Sequence, residues 1–126
     1  MSTTLCTSEE LLCGAIRRSD LLERVCGDEE VMLELVELGL TECPRLLQAL
    51  RAAVAAGDAH TIERAAHALK GVAGNLAADE AFELALEMEQ AARAEDTLLA
   101  ASFLPRIEAA MQRVDAALSL LCTEKG

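Results

Sequence analysis

Residues 62–76 read Ile62-Glu63-Arg64-Ala65-Ala66-His67-Ala68-Leu69-Lys70-Gly71-Val72-Ala73-Gly74-Asn75-Leu76. At about 100° per residue, Ile62, Ala65, Ala66, Leu69, Val72, Ala73 and Leu76 gather on one arc of a helix. His67, Lys70, Gly71 and Gly74 gather on the opposite arc. The spacing predicts an amphipathic helix that buries its alanines and leucines and turns an imidazole outward. Gly57 before it is a stop and Asp58 an N-cap, so this helix runs from there to about Leu76.

The neighbouring segments follow the same pattern. Asp28 opens a long helix to about Ala56, with Glu29 and Glu30 suited to the positive end of its dipole. Its apolar set is broad. Val31, Leu35 and Leu38 form one arc; Met32, Val36, Cys43, Leu47, Leu50 and Val54 form another. Such a helix needs cover on two sides, and the N-terminal segment is the expected second cover. Pro44, lacking an N–H, is expected to kink it. Downstream, Ala77 to Asp79 is a tight connection in which Asp79 caps the next helix, which ends near Ala94. Ala81, Leu84, Ala85, Met88 and Ala92 form its core stripe. Phe82 and Leu86 lie off that stripe, to pack on an adjacent helix or face a partner. Glu95-Asp96-Thr97 restarts the chain into a last helix ending near Cys122; Pro105 is expected to kink it or split off its first turns. At the other end, Ser8-Glu9-Glu10 caps a short helix to about Arg18, and Asp20 to Cys26 forms another, stopped by Gly27.

Alanine and leucine dominate a composition that is 52% hydrophobic and 2% aromatic. That mixture favours helix over sheet. The 126 residues suit one domain, 1–126, able to bury a core without a disulfide or metal staple. Four long amphipathic helices with short loops pack best as an antiparallel bundle. The expected fold is therefore all-α: a four-helix bundle over about 28–122 with a short N-terminal helical extension over about 8–26.

The net charge of −11 argues against nucleic acid and against an anionic membrane surface, both of which select basic patches. Five cysteines form no CxxC pair, and an odd number cannot close fully into intramolecular bridges, so reduced thiols are expected. The opening residues are polar, and no apolar run approaches the roughly 20 residues of a membrane span. A monomer in the cytoplasm is the expectation.

His67 carries the chemistry. Lys70, Gly71 and Gly74 follow it at three, four and seven positions, which stacks them on one face. A mid-helix glycine costs about 1 kcal/mol relative to alanine. Two of them beside an exposed imidazole make sense if a partner's backbone comes close; the other reading is close packing of a neighbouring helix. Imidazole is a nucleophile near pH 7 and an established covalent carrier. A nearby ammonium disfavours the imidazolium form and can balance charge on a phosphoryl group in transit. Arg64, one turn earlier, is placed to meet an acidic partner surface. His60, about 10 Å before His67 along the helix, is too far for a shared metal and reads as a surface residue near the helix start or a rim contact. No Glu-x-x-His pair, Walker loop or kinase signature is present. A phosphoryl donor must then be another protein or domain.

Gly57-Asp58 followed by Ala65-Ala66-His67-Ala68-Leu69-Lys70-Gly71-Val72-Ala73-Gly74-Asn75-Leu76 resembles the histidine-containing phosphotransfer (HPt) domain of two-component phosphorelays. Asp28-Glu29-Glu30, Pro44-Arg45-Leu46-Leu47, Met88-Glu89 and Arg93 extend the likeness to roughly residues 20–122. The resemblance implies that His67 accepts phosphoryl from a receiver-domain aspartate and passes it to another response-regulator receiver. It implies that Lys70 assists electrostatically, and that Gly71 and Gly74 admit the receiver. The partners would be receiver domains of a hybrid sensor kinase and of a response regulator. No cofactor of the chain's own is expected, and Mg²⁺ would belong to the receiver. Two positions depart from the family pattern. Ala77 stands where glycine is frequent, a change expected to matter little because alanine is also small. Gly39-Leu40 stands where an aromatic is common, so a looser core is expected there. Two rival readings remain: a binding-only helical module docking on a receiver or kinase, and the phosphoacceptor domain of a chemotaxis-type histidine kinase.

Overall fold

The computed structural model describes residues 16–125. The cap at Ser8 and the helix expected after it lie outside these residues, as do Cys6 and Cys13. The described chain is helical throughout, without a strand. Its elements are α1 (Arg18–Arg24), α2 (Glu29–Ala56), α3 (Ala59–Asn75), α4 (Asp79–Arg93), α5 (Thr97–Ser102) and α6 (Leu104–Lys125).

The boundaries follow from local chemistry. Asp28 accepts the N–H groups of Glu30 and Val31 and so starts α2. Gly57, at φ 71°, ends α2 in the left-handed region that glycine enters without penalty. Asp58 then accepts the Thr61 N–H at 2.9 Å and starts α3. Hydrogen bonds from the Thr61 hydroxyl and N–H hold the Asp58 carboxyl below its ordinary range, so the cap is ionised. Asp96 caps α5 through the Leu99 N–H. Pro105 divides the last segment, and α5 stands apart from α6. Through Pro44, by contrast, α2 continues without a break.

Four long helices close a ring: α2 packs on α3 and α6, and α4 packs on α3 and α6. Cross-helix contacts fix the directions. His67–Glu89 and Glu63–Arg93 pair α3 with α4, residues rising on one helix as they fall on the other. Arg51 near the end of α2 meets Glu108 near the start of α6, while Gly39 of early α2 lies under Leu118 of late α6. Both pairs are antiparallel, as the short connections require. The core gathers the expected stripes, with Ile62, Ala66, Leu69, Ala73 and Leu76 from α3 and Ala81, Leu84, Ala85, Met88 and Ala92 from α4 all buried. On α2 the arc of Met32, Val36, Cys43, Leu47 and Leu50 is buried. Of the other arc, Leu35 is half-buried, whereas Val31 and Leu38 remain 42% and 57% exposed. α1 packs on α2 without covering those two; the residues expected to do so lie mostly before Ile16.

Three expectations are corrected. Asp79 is the first residue of α4 and not its cap; Ala78 holds the cap position, with no side-chain hydrogen bond, and Asp79 adds only a favourable charge to the first turn. The core at Gly39 is tight. A methyl group there would meet the ends of Leu118 at 3.0 Å and Leu76 at 3.1 Å. Finally, Ala77 does matter, through its backbone. It sits at φ 57°, where an L-residue with a Cβ is strained by about 1 kcal/mol or more. Ala77→Gly is expected to raise the urea midpoint of unfolding with an unchanged slope, by about 1 kcal/mol of stability. A midpoint that falls would mean that the buried Ala77 methyl contributes more packing than its backbone loses in strain.

Candidate functional site

The site lies on the outer face formed by α3 and α4. His67 projects from the middle of α3 with its side chain 68% exposed. Its Nδ1 lies 2.8 Å from Oε2 of Glu89 on α4. Glu89 is 2% exposed, a carboxylate set among core residues. Lys70, one turn after His67, places Nζ 2.8 Å from Oε1 of the same carboxylate. That contact is an ion pair with poor hydrogen-bond alignment. Arg93, one turn after Glu89 on α4, donates from its guanidinium to Oε2 at 3.0 Å and, through Nε, to Glu63 at 2.9 Å.

Burial alone would raise the Glu89 carboxyl. The ion pair with Lys70 and the hydrogen bond to His67 outweigh it and hold the group below the usual carboxylate range. Glu89 is therefore ionised at neutral pH, and an ionised carboxylate only accepts hydrogen bonds. In the neutral ring the proton of the His67–Glu89 bond then belongs to Nδ1, which leaves Nε2 with its lone pair. Nε2 has no partner among the described residues. The arrangement presents one ring nitrogen, in one tautomer, as a nucleophile at the surface.

Residues 34–117, well over half of the chain, match the Hpt domain family. The chain belongs to the Hpt domain family. Comparison with characterised proteins and with solved structures gives no match. Membership implies phosphotransfer in two-component signalling, and Hpt domains engage receiver domains. No helix among the described residues is long and apolar enough to cross a membrane.

Within this Hpt domain, the residues singled out from sequence fall into different environments. His60 and Arg64 are exposed and line a shallow hollow with Glu63, His67, Glu89 and Arg93. Gly71 is exposed, and a methyl group on it would meet nothing within 4 Å. Gly74 is different: a methyl group there would meet the Phe82 ring of α4 at 3.4 Å. Gly74 therefore faces the neighbouring helix, where a methyl group would make an ordinary contact with Phe82. Lys70 is only 21% exposed and paired with Glu89.

Glu89 is the residue that sequence reasoning left out of the site. A signal for it exists. Ala81, Ala85, Glu89 and Ala92 succeed one another at four, four and three positions, so an acid stands on an otherwise apolar stripe. Acids are seldom fully buried unless paired, and such a position therefore asks for cations opposite. Lys70 supplies the charge and His67 an N–H donor.

The two glycines separate experimentally. Gly71→Ala is expected to stabilise the free protein by about 1 kcal/mol, because an exposed helix interior gains propensity and nothing is crowded. Thermal melting should show a rise of roughly 3–5 °C. A lower melting temperature would place Gly71, like Gly74, at a packing contact.

Proposed function

We propose that this chain is a phosphorelay intermediate, with His67 accepting a phosphoryl group from a receiver-domain aspartate and passing it to another response-regulator receiver. The observation that carries the reading is the exposed imidazole whose Nδ1 is held by the buried, ionised Glu89. In the forward step the Nε2 lone pair forms the N–P bond as the bond from phosphorus to the aspartyl oxygen breaks, its electron pair leaving on the carboxylate. The Nδ1 proton stays in its hydrogen bond, and the positive charge that the ring acquires faces the Glu89 carboxylate. Return to a second receiver aspartate reverses these changes. Little covalent chemistry is asked of the protein; positioning and electrostatics do most of the work. The Mg²⁺ that phosphoryl transfer requires would be supplied by the receiver; among the described residues of this chain no group of three or more acids, histidines or cysteines is placed to hold a metal.

The test is incubation with phosphorylated receiver domains drawn from one genome. A label on this chain that is stable to alkali, lost in acid and mapped to the peptide holding His67 supports the proposal. Receiver binding with no label from any member of the panel would leave a binding-only module instead. Label acquired only from a kinase core with ATP would favour the chemotaxis-type reading.

A further inference from the structure

The cations around His67 are not equivalent. Lys70 is engaged by Glu89, and Arg93 by both Glu63 and Glu89. Arg64 is exposed and has no ionic or hydrogen-bond partner among the described residues. Three cations thus face two carboxylates, and the unmatched positive charge is Arg64. This surplus stands out on a chain whose net charge is −11.

The direction of the helix adds a second argument. Side chains on a helix lean toward its N-terminus. A group added to Nε2 of His67 therefore extends over the preceding turn, which holds Glu63 and Arg64, and away from the turn that follows with Lys70. The hollow beside the ring agrees: Arg64 and Arg93 line it and Lys70 does not. Glu63, the carboxylate on its rim, is already paired with Arg93.

Building on the phosphoryl-carrier reading, we propose that Arg64 is the counter-cation of the phosphoryl group on His67, while Lys70 serves to hold Glu89. A planar guanidinium matches phosphoryl oxygens through paired hydrogen bonds, and at this position it gives up no existing partner to do so. It would act on the group as it arrives at Nε2 and while it rests there. The bond changes are those of the transfer step already described.

The test uses the whole chain phosphorylated chemically with potassium phosphoramidate, a donor that needs no receiver. ³¹P NMR then follows ionisation of the phosphoryl group with pH. A cation in contact favours the more charged form and lowers the midpoint. Arg64→Gln is expected to raise that midpoint by about half a pH unit, Arg64→Lys to restore it in part, and Lys70→Gln to leave it nearly unchanged. In transfer from a phosphorylated receiver, Arg64→Gln should be slowed about 10-fold, the effect of losing one charge contact worth about 1.4 kcal/mol in the transition state. A midpoint unmoved by Arg64→Gln, or moved more by Lys70→Gln, overturns the assignment. Because Arg64 is exposed, the Arg64 variants retain the fold. Failure of the unmodified protein to take phosphoryl on His67 from either donor would defeat the carrier reading itself, before any variant is compared.

Discussion

His67→Gln is expected to abolish the acid-labile label while leaving the protein folded. The substituted side chain is mostly exposed, so little burial is lost. Glutamine is at least as good a helix former as histidine, and its amide N–H can still donate toward Glu89. What disappears is the ring lone pair, for which an amide offers no substitute. Transfer should fall by at least about 10³-fold, more than 4 kcal/mol of barrier. His60, the second of two histidines in the chain, supplies the control. It lines the same hollow but has no carboxylate bonded to its ring. His60→Gln should keep the label. Label retained in His67→Gln and lost in His60→Gln would transfer the role to His60.

Glu89→Ala should reduce transfer about 100-fold, roughly 2.7 kcal/mol of barrier, with a small effect on stability. The kinetic loss has two sources. Without the acceptor at 2.8 Å, the Nδ1 proton is no longer fixed, and the ring spends time with its proton on Nε2, where it cannot attack. The positive charge formed on the ring also loses its facing carboxylate. Removing one partner of a buried ion pair is ordinarily costly. Here His67 and Arg93 are mostly exposed and Lys70 partly so, which lets the released cations reach water. Glu89→Gln separates the two sources. It keeps an oxygen for Nδ1–H and removes the charge, so a loss nearer 10-fold is expected, about 1.4 kcal/mol. Nitrogen NMR of His67 provides a readout that mere loss of packing would not move: the Nδ1–H tautomer should dominate in the unmodified protein and in Glu89→Gln, and give way in Glu89→Ala. An unchanged tautomer ratio in Glu89→Ala would remove Glu89 from its positioning role.

Glu89 also shows why part of the site was not legible in the sequence. His67 was readable because one helix suffices to define its face: seven apolar residues on one arc oblige the others to point outward. Glu89 belongs to a second helix, and its contact with His67 spans 22 positions. Whether an acid on an apolar stripe is buried, and against what, depends on the register of α3 against α4. The same register separates Gly71 from Gly74, which look alike on a helical projection. One faces open space and the other faces Phe82. Lys70 sits on the polar arc in projection, yet its long stem reaches sideways to the neighbouring helix.

Local chemistry explains which features needed no tertiary information. Asp28, Asp58 and Asp96 accept N–H groups two or three residues away, and Gly57 enters a conformation that glycine alone adopts without cost. Those interactions close within one helical turn, so these helix starts and stops, the all-α class and the outward imidazole follow from the sequence by itself. The tertiary structure decided everything that required two helices at once: the closure of the core over Gly39 by Leu76 and Leu118, the burial of Glu89, and the proton it holds on Nδ1 of His67. A helical period sets direction around an axis. It does not set which residue of the next helix stands opposite, and the chemistry of His67 depends on that neighbour.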